Sequence, residues 1–455
     1  MMVCMSFKDY FAGKRVTVMG LGLLGRGVGD AAYIAEAGAT DIVVTDLKTE
    51  EELEESVAQL RKYPNIRFVL GEHRKEDFVD RDFILVAAGV PIESPYLAHA
   101  REAGVPLTQS AALFAELSRV PIIGVTGTRG KSTVTHMIHH VLKEVTGADI
   151  LLGGNVRGVS NLQLLNQVQD DSLCVMELDS WQLQGFGWST ISPAVAVFTN
   201  FMEDHLNYYT ATDRTVTEAM DSYFADKANI FKYQDESGVF ITTPEVFERA
   251  KKLAGVTLGQ EVVLVDASEI PEDTLLSMPG EHNRLNAALA YEALKADSLL
   301  DDEIFSGLAS FPGVPGRLEY LGERDGLKIY NDNNATTPQA TIAGLRAVGD
   351  QDAKNVILIA GGTYKNVDPT PLIAEIPHYC KKVLLLPGTG TDILNGKIEA
   401  EVVGSLEEAV KAGLAFGQPG DVLLFSPAFA SFGLFKNEYE RNDAFVKIIN
   451  QHAAT

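Results

Sequence analysis

Short apolar runs alternate with longer amphipathic stretches along the chain, a pattern that predicts an α/β fold with largely parallel sheets. The clearest run, 121–126, is apolar and rich in β-branched residues, and it predicts a buried strand. Apolar residues at helical spacing from Val134 to Val145 predict a helix directly after it. Further strands are predicted at 16–19, 41–45, 67–70, 83–87, 105–108, 172–177, 194–199, 239–242, 262–265, 328–330, 356–360, 383–386 and 422–425.

A glycine-rich turn, residues 124–133, joins the strand at 121–126 to the helix that follows it. Such a turn aims backbone N–H groups and a helix N-terminus at an anion. Lys131 adds a positive charge for the β- and γ-phosphates, and the Ser132 hydroxyl can ligate Mg²⁺. We therefore predict that a nucleoside triphosphate is bound by Gly127, Thr128, Gly130, Lys131, Ser132 and Thr133.

A second glycine motif lies near the start of the chain. Gly20, Gly22 and Gly25 follow a predicted strand and open a helix, and Asp46 ends the next predicted strand. This is the dinucleotide fingerprint in its usual context, and it predicts a bound nucleotide diphosphate. The motif leaves NAD, FAD and a UDP-sugar open as ligands. Gly89, which follows the strand at 83–87, is expected to line the same crevice.

The predicted elements form three blocks, and a chain of 455 residues is too long for one core. A dense Pro/Gly cluster at 311–316 predicts a linker between the last two blocks. We expect an N-terminal Rossmann-like domain at 1–118 that binds the nucleotide diphosphate. A central P-loop ATPase domain with a mainly parallel sheet follows at 119–314, and a C-terminal Rossmann-like α/β domain at 315–455.

Three polar residues of the central block stand out beside the glycine-rich turn. Glu177 ends an apolar strand, and a nucleotide-bound Mg²⁺ needs oxygen ligands beyond a serine hydroxyl, so Glu177 is a candidate metal ligand. His205 follows another strand end and is a candidate ligand of a second divalent ion. Lys227 taken alone predicts a solvated lysine on a helix. Further along, the amides of Asn283 and Asn286 suit recognition of a base edge.

Composition and charge narrow the choice of partners. A net charge of −24 argues against nucleic acid or an anionic membrane as a partner. Three cysteines at unrelated spacings form neither a disulfide framework nor a zinc site, which fits a reducing compartment. No apolar run approaches the length of about 18 residues that a membrane span needs, and no signal-peptide core is present. We expect a soluble, cytoplasmic protein.

Taken together, these motifs resemble the Mur ligase family, and their order covers nearly the whole chain. The glycine-rich turn resembles the family's G-x-x-G-T-x-G-K-[ST]-[ST] motif. The other matching elements, in chain order, are Gly153-Gly-Asn155, Glu177…Gln182, Thr199-Asn200…Asp204-His205, His282-Asn283…Asn286, Arg317, Asn331-Asp332…Ala335-Thr336, Gly361-Gly362…Lys365…Asp368 and Ser426-Pro427-Ala428…Ala430-Ser431-Phe432. The resemblance implies an ATP-dependent amide ligase that adds D-glutamate to UDP-N-acetylmuramoyl-L-alanine through an acyl phosphate, a cytoplasmic step of peptidoglycan synthesis.

The resemblance also implies roles for individual residues. It places Mg²⁺ at Ser132 and Glu177, a second Mg²⁺ at His205, and a carbamylated lysine at Lys227, and it makes Lys131, Glu177, His205 and Lys227 the catalytic set. ATP contacts are implied for Asn283, Asn286, Arg317 and Asp332. Glutamate contacts are implied for Thr336, Lys365, Ser431 and Phe432. Contacts with the uridine diphosphate end are implied for Leu23, Leu24, Asp46 and Leu47. Contacts along the muramoyl-alanine path are implied for Asn155, Gln182 and His205.

Three departures from the family pattern concern the amino-acid substrate. Asn333-Asn334 replaces the usual Ser-Lys, which removes a cation near the nucleotide or the amino acid, and Thr363-Tyr364 replaces the more usual Asp-Gly. Glu438 stands where an aromatic residue often packs over glutamate, and a carboxylate there would repel a dicarboxylate substrate. A sibling ligase that adds another amino acid, for example L-glutamate, therefore stays open.

A nucleotide-binding regulatory protein with lapsed catalysis is the alternative from another functional class. A protein that no longer catalyses a reaction would have no chemical need for all four of the residues Lys131, Glu177, His205 and Lys227. An NAD-dependent dehydrogenase leaves the P-loop unexplained. We expect the chain to act as a monomer.

Overall fold

The computed structural model describes residues 7–22, 25–210, 214–253, 258–271, 274, 276–431 and 433–453. The chain forms two compact units, Met1–Asp266 with Leu289–Ile304 and Ala267–Ala288 with Phe305–Thr455. The first unit contains two sheets and the second contains one.

The first sheet of the first unit is parallel and has the strand order β3-β2-β1-β4-β5. Its strands are β1 (Arg15–Met19), β2 (Asp41–Asp46), β3 (Ile66–Leu70), β4 (Phe83–Val86) and β5 (Leu107–Thr108). The helices of this part are α1 (Arg26–Glu36), α2 (Glu54–Leu60), α3 (Pro95–Glu102) and α4 (Ser110–Ser118). The strand order reverses between β1 and β4, the point at which such sheets bind ligands.

The second sheet of the first unit is also parallel, with the order β11-β10-β9-β6-β8-β7. Its strands are β6 (Ile122–Thr126), β7 (Ile150–Gly154), β8 (Leu173–Glu177), β9 (Val195–Phe198), β10 (Val239–Thr242) and β11 (Glu261–Leu264). The helices from here to the end of β11 are α5 (Lys131–Thr146), α6 (Ser180–Ser189), α7 (Leu206–Tyr209), α8 (Val216–Ala228) and α9 (Pro244–Ala250). The next two helices, α10 (Glu281–Ala296) and α11 (Asp301–Ser310), each have residues in both units. Because β6 lies between β8 and β9, the carboxyl ends of these three strands meet at one edge.

The sheet of the second unit has the order β12-β13-β17-β14-β15-β16, and only the edge strand β12 is antiparallel among its described pairings. Its strands are β12 (Glu319–Arg324), β13 (Leu327–Asn331), β14 (Val356–Gly361), β15 (Cys380–Leu386), β16 (Glu401–Val402) and β17 (Val422–Phe425). The helices are α12 (Pro338–Val348), α13 (Thr370–Tyr379), α14 (Thr389–Leu394), α15 (Leu406–Phe416) and α16 (Glu438–Ala453). Buried apolar clusters cover both faces of this sheet.

The predicted α/β fold with parallel sheets is confirmed. Each predicted strand is present within three residues of its predicted ends, and β10 and β17 have the predicted bounds. The strands β7, β12 and β16 were not predicted. The helix α5 buries its predicted apolar face, including Val134, Met137 and Val141. Among the described residues no helix is both long enough and apolar enough to cross a bilayer.

Candidate active site

The glycine-rich turn after β6 forms a phosphate loop with a tightly constrained backbone. Gly127 has a φ of 144°, and a Cβ added there would lie 1.9 Å from Thr199 Oγ1. Gly130 has a φ of 82° and is the N-cap of α5. Both glycines are therefore required, one by close approach to a neighbouring strand end and the other by left-handed backbone.

Residues that follow β9 hold this loop in place by hydrogen bonds. The Asn200 side chain brackets Arg129: its Oδ1 accepts from the Arg129 N–H at 2.9 Å, and its Nδ2 donates to the Arg129 carbonyl at 3.2 Å. The Thr128 N–H donates to the Asn200 carbonyl at 2.9 Å. The Thr199 hydroxyl donates to the same Arg129 carbonyl at 2.5 Å. The loop is thus ordered by protein contacts. The first N–H groups of α5 have no acceptor within the helix, which makes this helix end suited to binding an anion.

Two lysines converge on one carbonyl of the phosphate loop. Lys131 Nζ donates to the carbonyls of Gly127 and Thr128 at 3.0 and 3.1 Å. Lys227 Nζ donates to the same Gly127 carbonyl at 2.8 Å and to Thr126 Oγ1 at 3.4 Å. The structure therefore brings Lys131 and Lys227 together, although they lie far apart in sequence.

Lys227 is buried, with 1% of its surface exposed, so the solvated helix lysine predicted from its local sequence is wrong. Burial lowers the pKa of Lys227 well below its ordinary value, and the charge of Lys131 lowers it further. The Tyr223 ring centroid lies 4.9 Å from Lys227 Nζ. The side chain is thus biased toward a neutral amine, which is the nucleophilic form of lysine.

His205 precedes α7 and packs against two aromatic side chains. Its ring centroid is 4.8 Å from that of Trp181 and 5.8 Å from that of Tyr223. Burial lowers the pKa of His205, and the Asp204 carboxylate, 3.9 Å from His205 Nε2, opposes this shift. A neutral imidazole is the form that ligates metal ions.

Glu177 ends β8 and is 4% exposed. Its Oε1 accepts from Asn155 Nδ2 at 3.4 Å, and its carbonyl accepts from the Asn155 N–H at 2.7 Å. Gln182, predicted on the substrate path, is buried in the capping box of α6, where its N–H donates to Asp179 Oδ1 at 2.8 Å.

Ser132 and Glu177 offer oxygen donors, which suit Mg²⁺, whereas His205 offers an imidazole nitrogen, which is a less usual ligand of that ion. Ser132, 7% exposed, is on the first turn of α5, and Glu177 is at the neighbouring strand end. Among the described residues no three His, Cys, Asp or Glu side chains are grouped closely enough to hold a metal ion by themselves. Mg²⁺ often takes only one or two protein carboxylates and completes its shell with phosphates and water, so the residues present fit a nucleotide-bound ion.

Asp46, at the end of β2, accepts hydrogen bonds from the backbone of the N-terminal glycine loop. Its Oδ2 accepts from the N–H groups of Leu21 and Gly22 at 2.9 and 3.3 Å, and its Oδ1 accepts from the Lys48 N–H at 2.9 Å. Leu47 is 66% exposed, and Gly89 has a φ of 88°. Leu23 and Leu24 lie outside the described residues. Asp46 therefore orders the predicted uridine diphosphate loop directly.

In the second unit, Asn283 and Asn286 lie one turn apart on α10, and Asn286 Nδ2 donates to Asn283 Oδ1 at 3.1 Å. Asp332 follows β13, next to the strand end that precedes Ser426. Its Oδ1 accepts from the Leu318 N–H at 3.1 Å and its Oδ2 from Ser426 Oγ at 2.8 Å. Burial raises the pKa of Asp332 to about 7, while these hydrogen bonds and the Arg317 charge lower it only in part.

The residues predicted to contact glutamate lie at the carboxyl edge of the same sheet. Lys365 is exposed, and its Nζ donates to Thr336 Oγ1 at 3.0 Å. Ser431 is 4% exposed. Phe432 lies outside the described residues. The structure thus places Lys365 and Thr336 in direct contact.

Sequence reasoning missed Arg441, which is buried beside this edge with 1% of its surface exposed. It donates to the side chain and the carbonyl of Asn333, both at 2.8 Å, and to the Phe429 carbonyl at 3.2 Å. Asn333 Nδ2 in turn donates to the Glu438 carbonyl at 2.9 Å. Two of the departures from the family pattern, at Asn333 and Glu438, are therefore neighbours in space.

Comparisons with known proteins show which family the three parts of the chain resemble. Family models match at 14–109 (Mur ligase MurD-like, N-terminal domain), 125–254 (Mur ligase middle domain) and 316–429 (Mur ligase, glutamate ligase domain). A relative from Roseiflexus sp. (strain RS-1), named UDP-N-acetylmuramoylalanine--D-glutamate ligase, is 35% identical over 96% of this chain and 98% of its own length.

Two solved structures support the fold. UDP-N-acetylmuramate-alanine ligase MurC from Thermotoga maritima has a TM-score of 0.59 at 19% identity, covering 96% of this chain and 100% of its own. The MurF ligase from Thermotoga maritima, solved in complex with ADP, has a TM-score of 0.58 at 15% identity, covering 97% and 99%. With the three family models and the full-length relative, these findings show that the chain belongs to the Mur ligase family.

Proposed function

We propose that this chain is an ATP-dependent ligase that adds D-glutamate to UDP-N-acetylmuramoyl-L-alanine in peptidoglycan synthesis. The observation that carries the proposal is the convergence of Lys131 and the buried Lys227 on the Gly127 carbonyl. Nucleotide binding alone needs Lys131, whereas a second lysine with a lowered pKa, buried against the same loop carbonyl, suits a catalytic role. The Roseiflexus relative, matched over nearly its whole length, bears the name of this activity.

The reaction has two steps. A carboxylate oxygen of the UDP-linked alanine attacks the γ-phosphorus of ATP, the bond from that phosphorus to the ADP oxygen breaks, and an acyl phosphate forms. The amine of glutamate then attacks the acyl carbon, and the tetrahedral intermediate collapses to an amide and phosphate while the amine loses a proton. The N–H groups at the start of α5 and Lys131 would stabilise the charge that builds up on the transferring phosphoryl group.

Two Mg²⁺ ions are part of the proposal. Ser132 and Glu177 would hold the first together with the nucleotide phosphates, and His205 the second. A neutral Lys227 amine can add to CO₂ with loss of a proton, and the resulting carbamate would give the second site a carboxylate. When bound, the ions would neutralise phosphate charge.

The remaining substrate contacts follow the predicted sites. ATP would contact Asn283, Asn286, Arg317 and Asp332, and glutamate would contact Thr336, Lys365 and Ser431. The UDP end would lie at the loop ordered by Asp46, beside Leu47 and Gly89. We also propose that the protein is a cytoplasmic monomer with domain boundaries at 118/119 and 314/315.

Phosphate release from ATP tests the function. The purified chain is given UDP-N-acetylmuramoyl-L-alanine, Mg²⁺ and one amino acid at a time, with the product weighed by mass spectrometry. Release that needs D-glutamate supports the proposal, whereas release with L-glutamate instead would move the enzyme to a sibling specificity.

A matched pair of variants ties that activity to the phosphate loop. Lys131→Ala should abolish release, whereas Lys143→Ala, in the last turn of the same helix, should leave it unchanged. No release with any amino acid, while ATP still binds, would favour a regulatory protein over an enzyme.

A further inference from the structure

Asn155, predicted on the substrate path, has its side-chain amide engaged by protein on both sides. Its Oδ1 accepts a hydrogen bond from Arg26 Nη1, and its Nδ2 donates to Glu177 Oε1 at 3.4 Å. Rotating the amide by half a turn would set its nitrogen against the guanidinium and its oxygen against the carboxylate. Arg26 thus selects the amide orientation in which Asn155 donates to Glu177.

The same helix, α1, also holds the far end of the segment that begins at Asn155. Asp30, one turn beyond Arg26 and 4% exposed, accepts from Ser160 Oγ at 2.6 Å and from the Leu162 N–H at 3.1 Å. Between them, a Cβ added to Gly29 would lie 2.5 Å from Ser160 Cβ, so the helix and this segment are in close contact. Residues 155–162 are therefore fixed by α1 at both ends.

A third contact closes the segment on itself. Asn161 Oδ1 accepts from the Gly154 N–H at 2.7 Å, directly before Asn155. Asn161 Nδ2 donates to Ser110 Oγ at 3.3 Å. Because α1 fixes both ends of the segment and Asn161 ties it to Gly154 and Ser110, Asn155 is held next to Glu177 without a bound ligand.

We propose that Arg26 and Asp30 are positioning residues for Glu177 and act through Asn155. The proposal rests on the proposed function, because it assumes that Glu177 holds a catalytic metal ion. A carboxylate at a strand end can rotate, and residues that fix a metal-binding carboxylate typically contribute 10- to 100-fold to metal affinity or activity. Since α1 begins directly after the Gly20–Gly25 loop, the helix that starts at the predicted diphosphate loop also orients the catalytic carboxylate.

An alternative role for Arg26 is direct contact with substrate phosphate or carboxylate. The two roles differ in which kinetic constant they affect. A positioning residue changes kcat and the Mg²⁺ requirement, whereas a substrate contact changes the KM for the UDP-linked substrate. They also differ in how Arg26 and Asn155 combine, because a residue that acts only through Asn155 adds nothing once Asn155 is gone.

The experiment is a double-mutant cycle. We expect Arg26→Ala to lower kcat about 10-fold with the KM for the UDP-linked substrate little changed, and Arg26→Lys, which keeps one donor, to recover most of the loss. The double variant Arg26→Ala/Asn155→Ala should be no slower than Asn155→Ala. Multiplied effects in the double variant, or a change confined to KM, would overturn the proposal.

Matched controls separate positioning from stability. The Arg81 side chain is 9% exposed and forms an ion pair with Asp41, the first residue of β2, away from residues 155–162. Arg81→Ala should lower Tm without lowering kcat. Asp30→Ala should lower kcat, while Asp77→Ala, which removes a buried carboxylate paired with Arg67, should not. Equal kcat losses in Asp30→Ala and Asp77→Ala would contradict a positioning role.

A binding measurement keeps this test independent of the ligase reaction. Binding of the non-hydrolysable ATP analogue AMP-PNP is titrated by calorimetry across a Mg²⁺ series. In Arg26→Ala the Mg²⁺ concentration at half-maximal binding should rise about 10-fold, even if the wild-type chain ligates no amino acid. An unchanged Mg²⁺ midpoint would refute the positioning role, whereas a wild type that binds AMP-PNP but releases no phosphate would refute only the proposed function.

Discussion

Replacement of Asn200 by alanine should weaken ATP binding without any loss of a residue that touches ATP. Asn200 makes two side-chain hydrogen bonds to Arg129, one to its N–H and one to its carbonyl. A hydrogen bond of this kind contributes about 1 kcal/mol net, so the variant loses about 2 kcal/mol of loop ordering. If ATP binding must supply that ordering, its Kd should rise about 30-fold.

The assay is calorimetric titration with Mg·AMP-PNP, paired with a thermal melt. The control is Asn229→Ala, since Asn229 is a buried asparagine of the same unit whose Nδ2 donates to the Leu183 carbonyl at 3.0 Å and not to a residue of the phosphate loop. Asn229→Ala should lower Tm but leave the Kd unchanged. An unchanged Kd in Asn200→Ala, or an equal rise in both variants, would refute the idea that Asn200 prepares the loop for phosphate.

Three further predictions concern separate parts of the chain. Lys227→Ala should lose most ligase activity and regain part of it with added acetate, because the proposed carbamate supplies a carboxylate; full activity without acetate would contradict that role. Burial raises the pKa of Asp332 to about 7, so the folded state keeps a proton that the unfolded chain releases between about pH 4 and 7. Stability should fall as pH rises through that window, and Asp332→Asn should show a flatter Tm-against-pH curve than the wild type. Gly29→Ala should lower the free energy of unfolding by about 1–3 kcal/mol in urea, whereas Gly259→Ala, with open space around its Cα, should be neutral.

The positions of most strands and the phosphate loop could be predicted from the sequence because both depend on local signals. A buried parallel strand is a continuous apolar run, and the glycines of the loop are required by backbone geometry within a few residues. The three unpredicted strands lack such a signal. β12 carries charged residues at both ends, β16 has two residues, and β7 ends in two glycines.

Lys227 shows why the rest of the site could not be predicted from local pattern. On its helix, the neighbours of Lys227 favour a solvated position, and only the packing of α8 behind the phosphate loop buries it. The same holds for Arg441, whose buried guanidinium is explained by carbonyls of Asn333 and Phe429 from distant segments. The charge of a buried side chain is decided by such long-range contacts, and a single sequence does not display them.

The network around Asn333 bears on amino-acid specificity. Asn334 stands where the family pattern has lysine, which removes a cation from this edge of the sheet, yet the buried Arg441 donates to the neighbouring residue Asn333. Burial lowers the pKa of Arg441 to about 10, which still leaves the guanidinium charged near neutral pH. Arg441 therefore keeps positive charge at the edge where Lys365 and Thr336 meet, although its donors are directed to carbonyls rather than outward. The predicted glutamate site therefore still has a cation, Lys365, that does not depend on position 334.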